Sequence, residues 1–500
     1  LASSAVPDSA PMDLREQVRE RLAAERGTVR KQAPERVALC YPSPYRVGMS
    51  SLGFQTIYRE INSRPSSVAD RAFLPDNVED YARTRTPIFT YEAELPISHY
   101  PVIAISVAYE IELAGVIQLL ELSGIPALAE QRTAAHPFIL CGGPLTNSNP
   151  LPLAPFADAI VMGEADQAIH RVLDCIFNAA TRDAALTQLA NECFVPSLHG
   201  DSLPPIQQAD NELLPAWAPI RTPNTELSDM FLLEAERGCS RGCQYCVMRR
   251  STNGGMRIVP VERLLSVIPD DAHKIGLVGA AVSDHPKIVQ IVDTLASQGR
   301  QVSLSSLRPD RLTDPFIAAL KKAGARAITT ALDASSQRLR DRIDRKAKEK
   351  HFTRIAELVK AHGLHHLKVY MMVGLPDETD ADIDELIGFA TELSRIHPLA
   401  IGISPFVAKR NTPLDGAPFA GIPLVESRLS RLRRGLRGKV DLRATSARWA
   451  WVEYVLAQGS WAEGRAVLDA VHNGGGFSAY KAAFNNLPDA RKRRALRVVA

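Results

Sequence analysis

The chain has 500 residues, 45% apolar and 23% charged, with 30 Gly and 34 Pro; this is the balance of a globular chain of two or three domains and excludes disorder and collagen. No apolar run reaches the roughly 18 residues needed to cross a bilayer, and no charged-then-apolar leader precedes the first element, so the expectation is a cytoplasmic chain without a membrane partner. A net charge of +3, from 59 basic against 56 acidic residues, is too even to argue for nucleic acid by itself.

Residues 1–11, LASSAVPDSAP, are small and polar and carry no fold signal. Residues 12–35 alternate in charge, with Leu14, Val18 and Leu22 at helical spacing, which predicts an amphipathic helix packed on the first domain and completes an amino-terminal tail-and-helix unit over 1–35. Short apolar runs then alternate with helical stretches: RVALCY, PVIAISVAY, PFILCGGP and ADAIVMGEA are separated by LGFQTIYREI and GVIQLLELSG. Such runs, joined by long crossovers, predict a Rossmann-like domain with a parallel sheet over 36–180. Residues 181–228, rich in Pro, Asp and Asn, read as a linker. A second alternation over 229–423 gives six strand-then-helix units, from FLLEAERGC to LAIGISPFV, and predicts a partial (β/α)6 TIM-type barrel with its site at the carboxyl ends of the strands. Residues 424–500 read as a mostly helical, basic region in which Trp449, Trp451 and Trp461 cluster, placed to cap the barrel mouth. The fold class is therefore α/β.

Seven cysteines are too few for a disulfide scaffold, and three lie together at the end of the first barrel strand, in ERGCSRGCQYCVMRR. Cys239, Cys243 and Cys246 form a Cys-x3-Cys-x2-Cys loop that folds three thiolates around one centre. Three ligands leave one iron of a [4Fe-4S] cluster free to bind the amino and carboxylate groups of a small molecule. A zinc site would need a fourth ligand, and no His or Cys follows at finger-like spacing.

With Tyr245 before its last Cys, the loop resembles the signature of the radical S-adenosylmethionine (SAM) superfamily, and the resemblance spans about 228–413. It implies a [4Fe-4S] cluster, an electron donor such as flavodoxin or ferredoxin, and cleavage of SAM to methionine and a 5′-deoxyadenosyl radical that takes hydrogen from substrate, while the protein binds, orients and excludes water. Matched residue by residue, it implies SAM contacts at Tyr245, Gly279, Ala280, Ser305, Ser306, Arg308, Asp333, Val373 and Gly374. It assigns no catalytic residue. The family's usual acidic residue after the second strand is missing from Gly279-Ala280-Ala281, so the amino-group contact is unassigned.

A Rossmann-like domain ahead of such a barrel, carrying ISVAYE, CGGPLT and MGEAD, resembles the cobalamin-binding class of the superfamily. The resemblance implies a corrin over the strand ends, touching Tyr45, Arg46, Ser106, Val107, Tyr109, Gly142, Gly143, Pro144, Gly163 and Glu164. The Asp-x-His-x-x-Gly loop of other cobalamin proteins is absent, and YPSPYRVGMSSLG has no His, which implies a cobalt without a His ligand below. VALCYPSPYRVGMSSLGFQTIYREIN, SLRPDRL and ISPFVAKRNTPL carry the match over about 36–465. It implies methylation of an unactivated carbon in a small-molecule or peptide substrate.

Alternatives stand beside this reading. The first domain could keep the fold without the cofactor, and the radical could serve rearrangement, oxidation or coupling. A methylthiotransferase would need three further cysteines from Cys40, Cys141, Cys175 and Cys193. A non-enzymatic cofactor-binding protein would have no need of an open iron. The basic runs at 428–439 and 491–497 are equally solvated helix faces, so nucleic acid is not assigned as a partner.

Overall fold

The computed structural model describes residues 14–248, 255–305, 307–487 and 497–498. Strands β1 (Glu35–Tyr41), β2 (Ser67–Phe73), β3 (Val102–Ser106), β4 (Phe138–Gly142) and β5 (Ala159–Ile160) form an all-parallel sheet in the order β2-β1-β3-β4-β5. Its faces are covered separately: Val37 and Leu39 pack with the helices Leu52–Ser63 and Ala165–Phe177, and Ala38 and Cys40 pack with Leu113–Leu122. Burial on both faces is why these strands read as continuous apolar runs.

Strand β2, SVADRAF, gives no such run, yet it is buried along its whole length. Its Arg71 is fully buried between Glu25 (2.7 Å) and Glu92 (2.6 Å), so the charge that breaks the pattern is matched inside the fold. The segment expected to be a linker also contributes to this domain, because Ala185, Leu189, Cys193 and Val195 join its core.

The barrel strands are β6 (Met230–Glu234), β7 (Lys274–Val278), β8 (Gln301–Leu304), β9 (Ala327–Asp333), β10 (His366–Val373), β11 (Leu399–Pro405) and β12 (Asp441–Ala444), all parallel. A bridge between Leu307 and Thr330 joins the β6–β8 and β9–β12 sheets. The six expected strands are present, and β12 adds a seventh inside the region read as helical. Beyond it, the helices Ala447–Ala457, Trp461–His472 and Phe477–Asn485 turn back onto the first domain, where Val452, Leu456, Val467, Tyr480 and Phe484 enter its core. Trp449, Trp451 and Trp461 pack against that core, so they do not roof the barrel mouth. From the same helices, Tyr454 packs against the apolar cluster around Tyr245.

Among the described residues, no helix is long and apolar enough to cross a membrane. The basic run at 428–439 is partly spent on barrel ion pairs, with Arg428 on Glu378 (2.9 Å) and Arg431 on Asp384 (2.6 Å). Most of the run at 491–497 lies outside the described residues.

Candidate functional site

After β6 the chain makes a short strand, Glu236–Gly238, paired antiparallel with Met256–Ile258, and enters the cysteine loop. Cys239, Cys243 and Cys246 are half-buried free thiols. Three barrel loops hold them. The Gln244 N–H donates to the Ile343 carbonyl (3.0 Å), the Leu414 N–H donates to the Gln244 carbonyl (3.3 Å), and Arg241 reaches Asp284 (2.9 Å). Burial raises the Cys243 and Cys246 thiols, while the Arg345 and Arg308 guanidiniums draw Cys243 back toward thiolate. A bound metal centre would complete the deprotonation. Among the described residues, no three Cys, His, Asp or Glu side chains converge as a single ion would need. Three thiols on one short loop, close enough to feel one another's charge, instead suit a cluster that takes one thiolate per iron.

The expected SAM contacts divide into two groups. Tyr245 packs among Ala334, Leu339, Ile343, Leu375 and Phe406, with its hydroxyl hydrogen-bonded to Asp333. Asp333 sits in left-handed backbone (φ 67°) at an irregularity in the β9–β10 pairing, and its carboxylate pairs with Arg345. Arg308 pairs with Asp310 (3.2 Å), and the exposed Ser305 hydroxyl donates to the Gly279 carbonyl (3.3 Å). Asp333 and Arg308 both act electrostatically on Cys243, so this group flanks the cysteine loop. Val373 and Gly374 end β10, where the Val373 carbonyl accepts from the Phe406 N–H (2.8 Å) and the Gly374 N–H donates to Glu378 (2.6 Å), so those two backbone groups are already engaged. Ser306 lies outside the described residues.

Between the domains lies a cavity of about 560 Å³. Ser106, Gly142, Gly143, Pro144, Gly163 and Glu164 line it from the ends of the first sheet, and Glu234, Glu236, Arg237, Gly279 and Ala280 line it from the barrel. Leu39, Ala104, Leu140 and Val161 add apolar wall, and Met248, just past Cys246, reaches its rim. Glycines keep it open: a Cβ on Gly53 would meet nothing within 4 Å, and one on Gly142 would touch only Val161, at 3.5 Å or more. An apolar cradle with bare glycine walls fits a broad flat ring such as a corrin. Among the described residues lining it there is no His.

Tyr45, Arg46, Val107 and Tyr109 stand apart from the cavity. Tyr45 is buried in a stack on Tyr91 (5.2 Å between centroids) and donates its hydroxyl to Glu25 (2.6 Å). Arg46 is an exposed partner of Asp76 (2.7 Å), Tyr109 is exposed, and Val107 is buried with its N–H on the Gly142 carbonyl (2.8 Å). The chain after β1 coils away through the helical turn Tyr45–Gly48, so this segment first reaches the cavity at Leu52 and Gly53. Of the four cysteines that a methylthiotransferase would draw on, Cys141 alone lines the cavity; Cys40 and Cys193 are buried and Cys175 is half-buried.

Two side chains escaped the sequence reading. Arg237 bridges Glu164 (3.2 Å) and Asp166 (3.0 Å) of the first domain to Glu234 (2.8 Å) of the barrel. Glu236 is fully buried; its Oε1 accepts the Ala281 N–H (2.7 Å), and its Oε2 has no partner. Burial lifts its carboxyl to about 8, and the Ala281 N–H only partly opposes that. A Glu ahead of an Arg reads as a solvated pair. The signal available was the Gly-Ala-Ala at the end of the next strand, because a Cβ on Gly279 would collide with the Glu236 carboxylate.

Residues 53–196 match the family model for the N-terminal region of radical SAM proteins, and residues 234–390 match the model for the radical SAM superfamily. An uncharacterized protein of Methanocaldococcus jannaschii is 26% identical over 392 residues, covering 77% of this chain and 80% of that protein. The radical SAM methyltransferase TsrM of Kitasatospora setae, solved with cobalamin and a [4Fe-4S] cluster, superposes with a TM-score of 0.55 at 11% identity, over 91% of this chain and all of that one. The cobalamin-dependent SAM radical enzyme OxsB aligns with a TM-score of 0.47 at 13% identity, over 82% of this chain and 56% of that one. With both family models matched in order, the chain belongs to the radical SAM superfamily, and its Rossmann-like domain, barrel and helical end share the fold of TsrM.

Proposed function

We propose that the protein is a cobalamin-dependent radical SAM methyltransferase acting on an unactivated carbon of a small molecule or peptide. The observation that carries the reading is the shared cavity: the ends of the first sheet and of the first two barrel strands open onto one space, also lined by Gly238 and Met248 on either side of the cysteine loop. Two cofactors exchanging a group or a radical must bring reacting atoms to about 3 to 3.5 Å, and this is where one chain brings both sets of strand ends together.

Cys239, Cys243 and Cys246 would hold the cluster, and Gly53, Ser106, Gly142 and Gly163 would bed the corrin. When bound, these groups supply an electron for SAM cleavage and a carrier for the methyl. The chain contributes positioning and shelter. Arg308 and Arg345 offset thiolate charge, and the apolar wall from Leu39 to Val161 keeps water from the reacting space. An electron donor of the flavodoxin or ferredoxin type is required from outside.

The test is anaerobic reconstitution with iron, sulfide and hydroxocobalamin, followed by incubation with trideuteromethyl-SAM and candidate extracts. A product heavier by a trideuteromethyl group, with S-adenosylhomocysteine and 5′-deoxyadenosine formed in equal amounts, supports the reading. 5′-Deoxyadenosine without S-adenosylhomocysteine overturns it in favour of rearrangement, oxidation or coupling.

A further inference from the structure

A second cavity, of about 560 Å³, lies in the barrel lumen. Along β10 and β11, Leu367, Val369 and Ile401 pack outward with Ile383, Leu386 and Val425 of the surrounding helices. Strand alternation turns their neighbours His366, Lys368, Tyr370 and Gly402 inward, where they line the cavity together with Asp441 and Arg443 of β12. A closed barrel fills this space with branched apolar side chains, whereas this open one lines it with polar groups. Tyr370 is 44% exposed, with its ring laid against the bare backbone of Gly402, where a Cβ would come within 2.7 Å of it. The Lys368 ammonium stands 4.7 Å from the centre of that ring, and among the described residues no carboxylate pairs with it. Arg443, by contrast, is matched by Asp441 (3.0 Å). A lysine over a ring face keeps its N–H donors available to an anion.

We propose that the lumen seats the substrate, with a carboxylate on Lys368 and a flat apolar part of the molecule on Tyr370, so that the substrate is an aromatic or similarly planar carboxylic acid. The inference rests on the radical SAM reading and adds a substrate class to it. A monoanion balances the Lys368 ammonium, while a phosphate dianion would bring a second charge that Arg443, already held by Asp441, does not meet. The same face of β10 runs from Lys368 through Tyr370 to Met372, which packs against the apolar cluster that also receives Tyr245 of the cysteine loop. Four residues at the strand rise separate Lys368 from Met372 by about 13 Å, so the carbon that reacts lies toward the far end of the acid.

Binding of indole-3-propionate, its uncharged amide, tryptamine and indoxyl phosphate is measured by equilibrium dialysis on the cluster-loaded full chain. Wild type should hold the acid about tenfold or more tighter than the amide, the gain of one charge-assisted hydrogen bond, and tighter than tryptamine. K368M should bring acid and amide to equal affinity, K368R should keep the preference, and Y370L should weaken both ligands alike. A preference that survives in K368M overturns the proposal, as does tighter binding of tryptamine than of the acid. Tighter binding of indoxyl phosphate overturns the carboxylate assignment in favour of a phosphate. No binding of the acid, or equal binding of acid and amide, by wild type that cleaves SAM overturns the proposal alone. Wild type that prefers the acid through Lys368 but forms no 5′-deoxyadenosine from SAM overturns the radical SAM reading, and the assignment of the acid as substrate falls with it. K368R keeps the length and charge of the side chain, so a folding defect confined to K368M does not blur the result.

Discussion

A carboxyl that folds into a site without a counter-ion makes stability depend on pH, and Glu236 sets the direction. Its folded value is about 8 against an ordinary 4.5. Below 4.5 both states carry the proton and nothing changes. Between 4.5 and 8 the unfolded chain gives up its proton while the folded one keeps it, so stability falls as pH rises through this window. Ligand-free E236Q has no such titration. The difference in Tm between wild type and E236Q should therefore be flat below pH 4.5 and shift steadily in favour of the variant up to 8; a constant difference across the window refutes the assignment. The cysteines behave differently, because their role lies in a short spacing that needs no distant partner to be read. Changing Cys239, Cys243 and Cys246 to Ala together should abolish iron binding and SAM cleavage, measured as iron content and 5′-deoxyadenosine formed, and a full cluster in that variant would place its ligands among the remaining cysteines. Glu236 was illegible for the opposite reason: its meaning depends on Ala281 and Gly279, which only the fold brings to it.

At the scale of elements, strands buried on both faces were legible and strands with polar business were not. Nothing near Arg71 in the sequence announces that Glu25, 46 positions away, will share its burial, so β2 reads as a break. Strand β12, DLRA, ends its sheet with Asp441 and Arg443 exposed, and so resembles the helix termini around it. The helix Leu52–Ser63 was legible as the helical stretch LGFQTIYREI, and the fold spends its Gly53 on the cavity wall. Leucine there should leave the helix intact or strengthen it by about 1 kcal/mol, because glycine is a poor helix former, while projecting into open space. G53L should keep its Tm and iron content and lose most hydroxocobalamin binding; unchanged corrinoid binding would show that the corrin does not rest on this helix. Asn149 is a comparable fixed point. Buried in the first domain, it donates to the carbonyls of Ala457 (3.1 Å) and Gly459 (2.8 Å) and so caps the returning helix. N149A leaves those carbonyls unsatisfied and should cost about 1–3 kcal/mol, read as a lowered denaturation midpoint.

For the whole molecule, the question is what keeps two separately cored domains at the spacing their shared cavity needs. The carboxyl-terminal helices tie the end of the barrel back to the first domain, with Lys409 between Glu110 and Glu453 (2.7 Å each) beside the Asn149 cap. On the cavity side the tie is Arg237, backed by Arg257, which pairs with Glu164 and donates to the Ala209 carbonyl (2.7 Å). Removing the Arg237 guanidinium leaves Glu164, Asp166 and Glu234 facing one another across the seam at low exposure, and breaking such a buried network costs about 3–5 kcal/mol. The repulsion of Glu234 by Glu164 and Asp166 acts between the domains. Among the described residues, the cysteine loop is hydrogen-bonded to barrel partners, among them Ile343, Asp284 and Leu414, so it should survive a widened seam. The corrin bed needs both walls. R237L, loaded anaerobically and passed through gel filtration, should therefore keep its iron while its ratio of corrinoid to iron falls severalfold, with faster proteolysis in the exposed part of residues 200–213. Equal loss of iron and corrinoid would mean that Arg237 supports the barrel as a whole, and retention of both would mean that the carboxyl-terminal helices alone hold the domains in place.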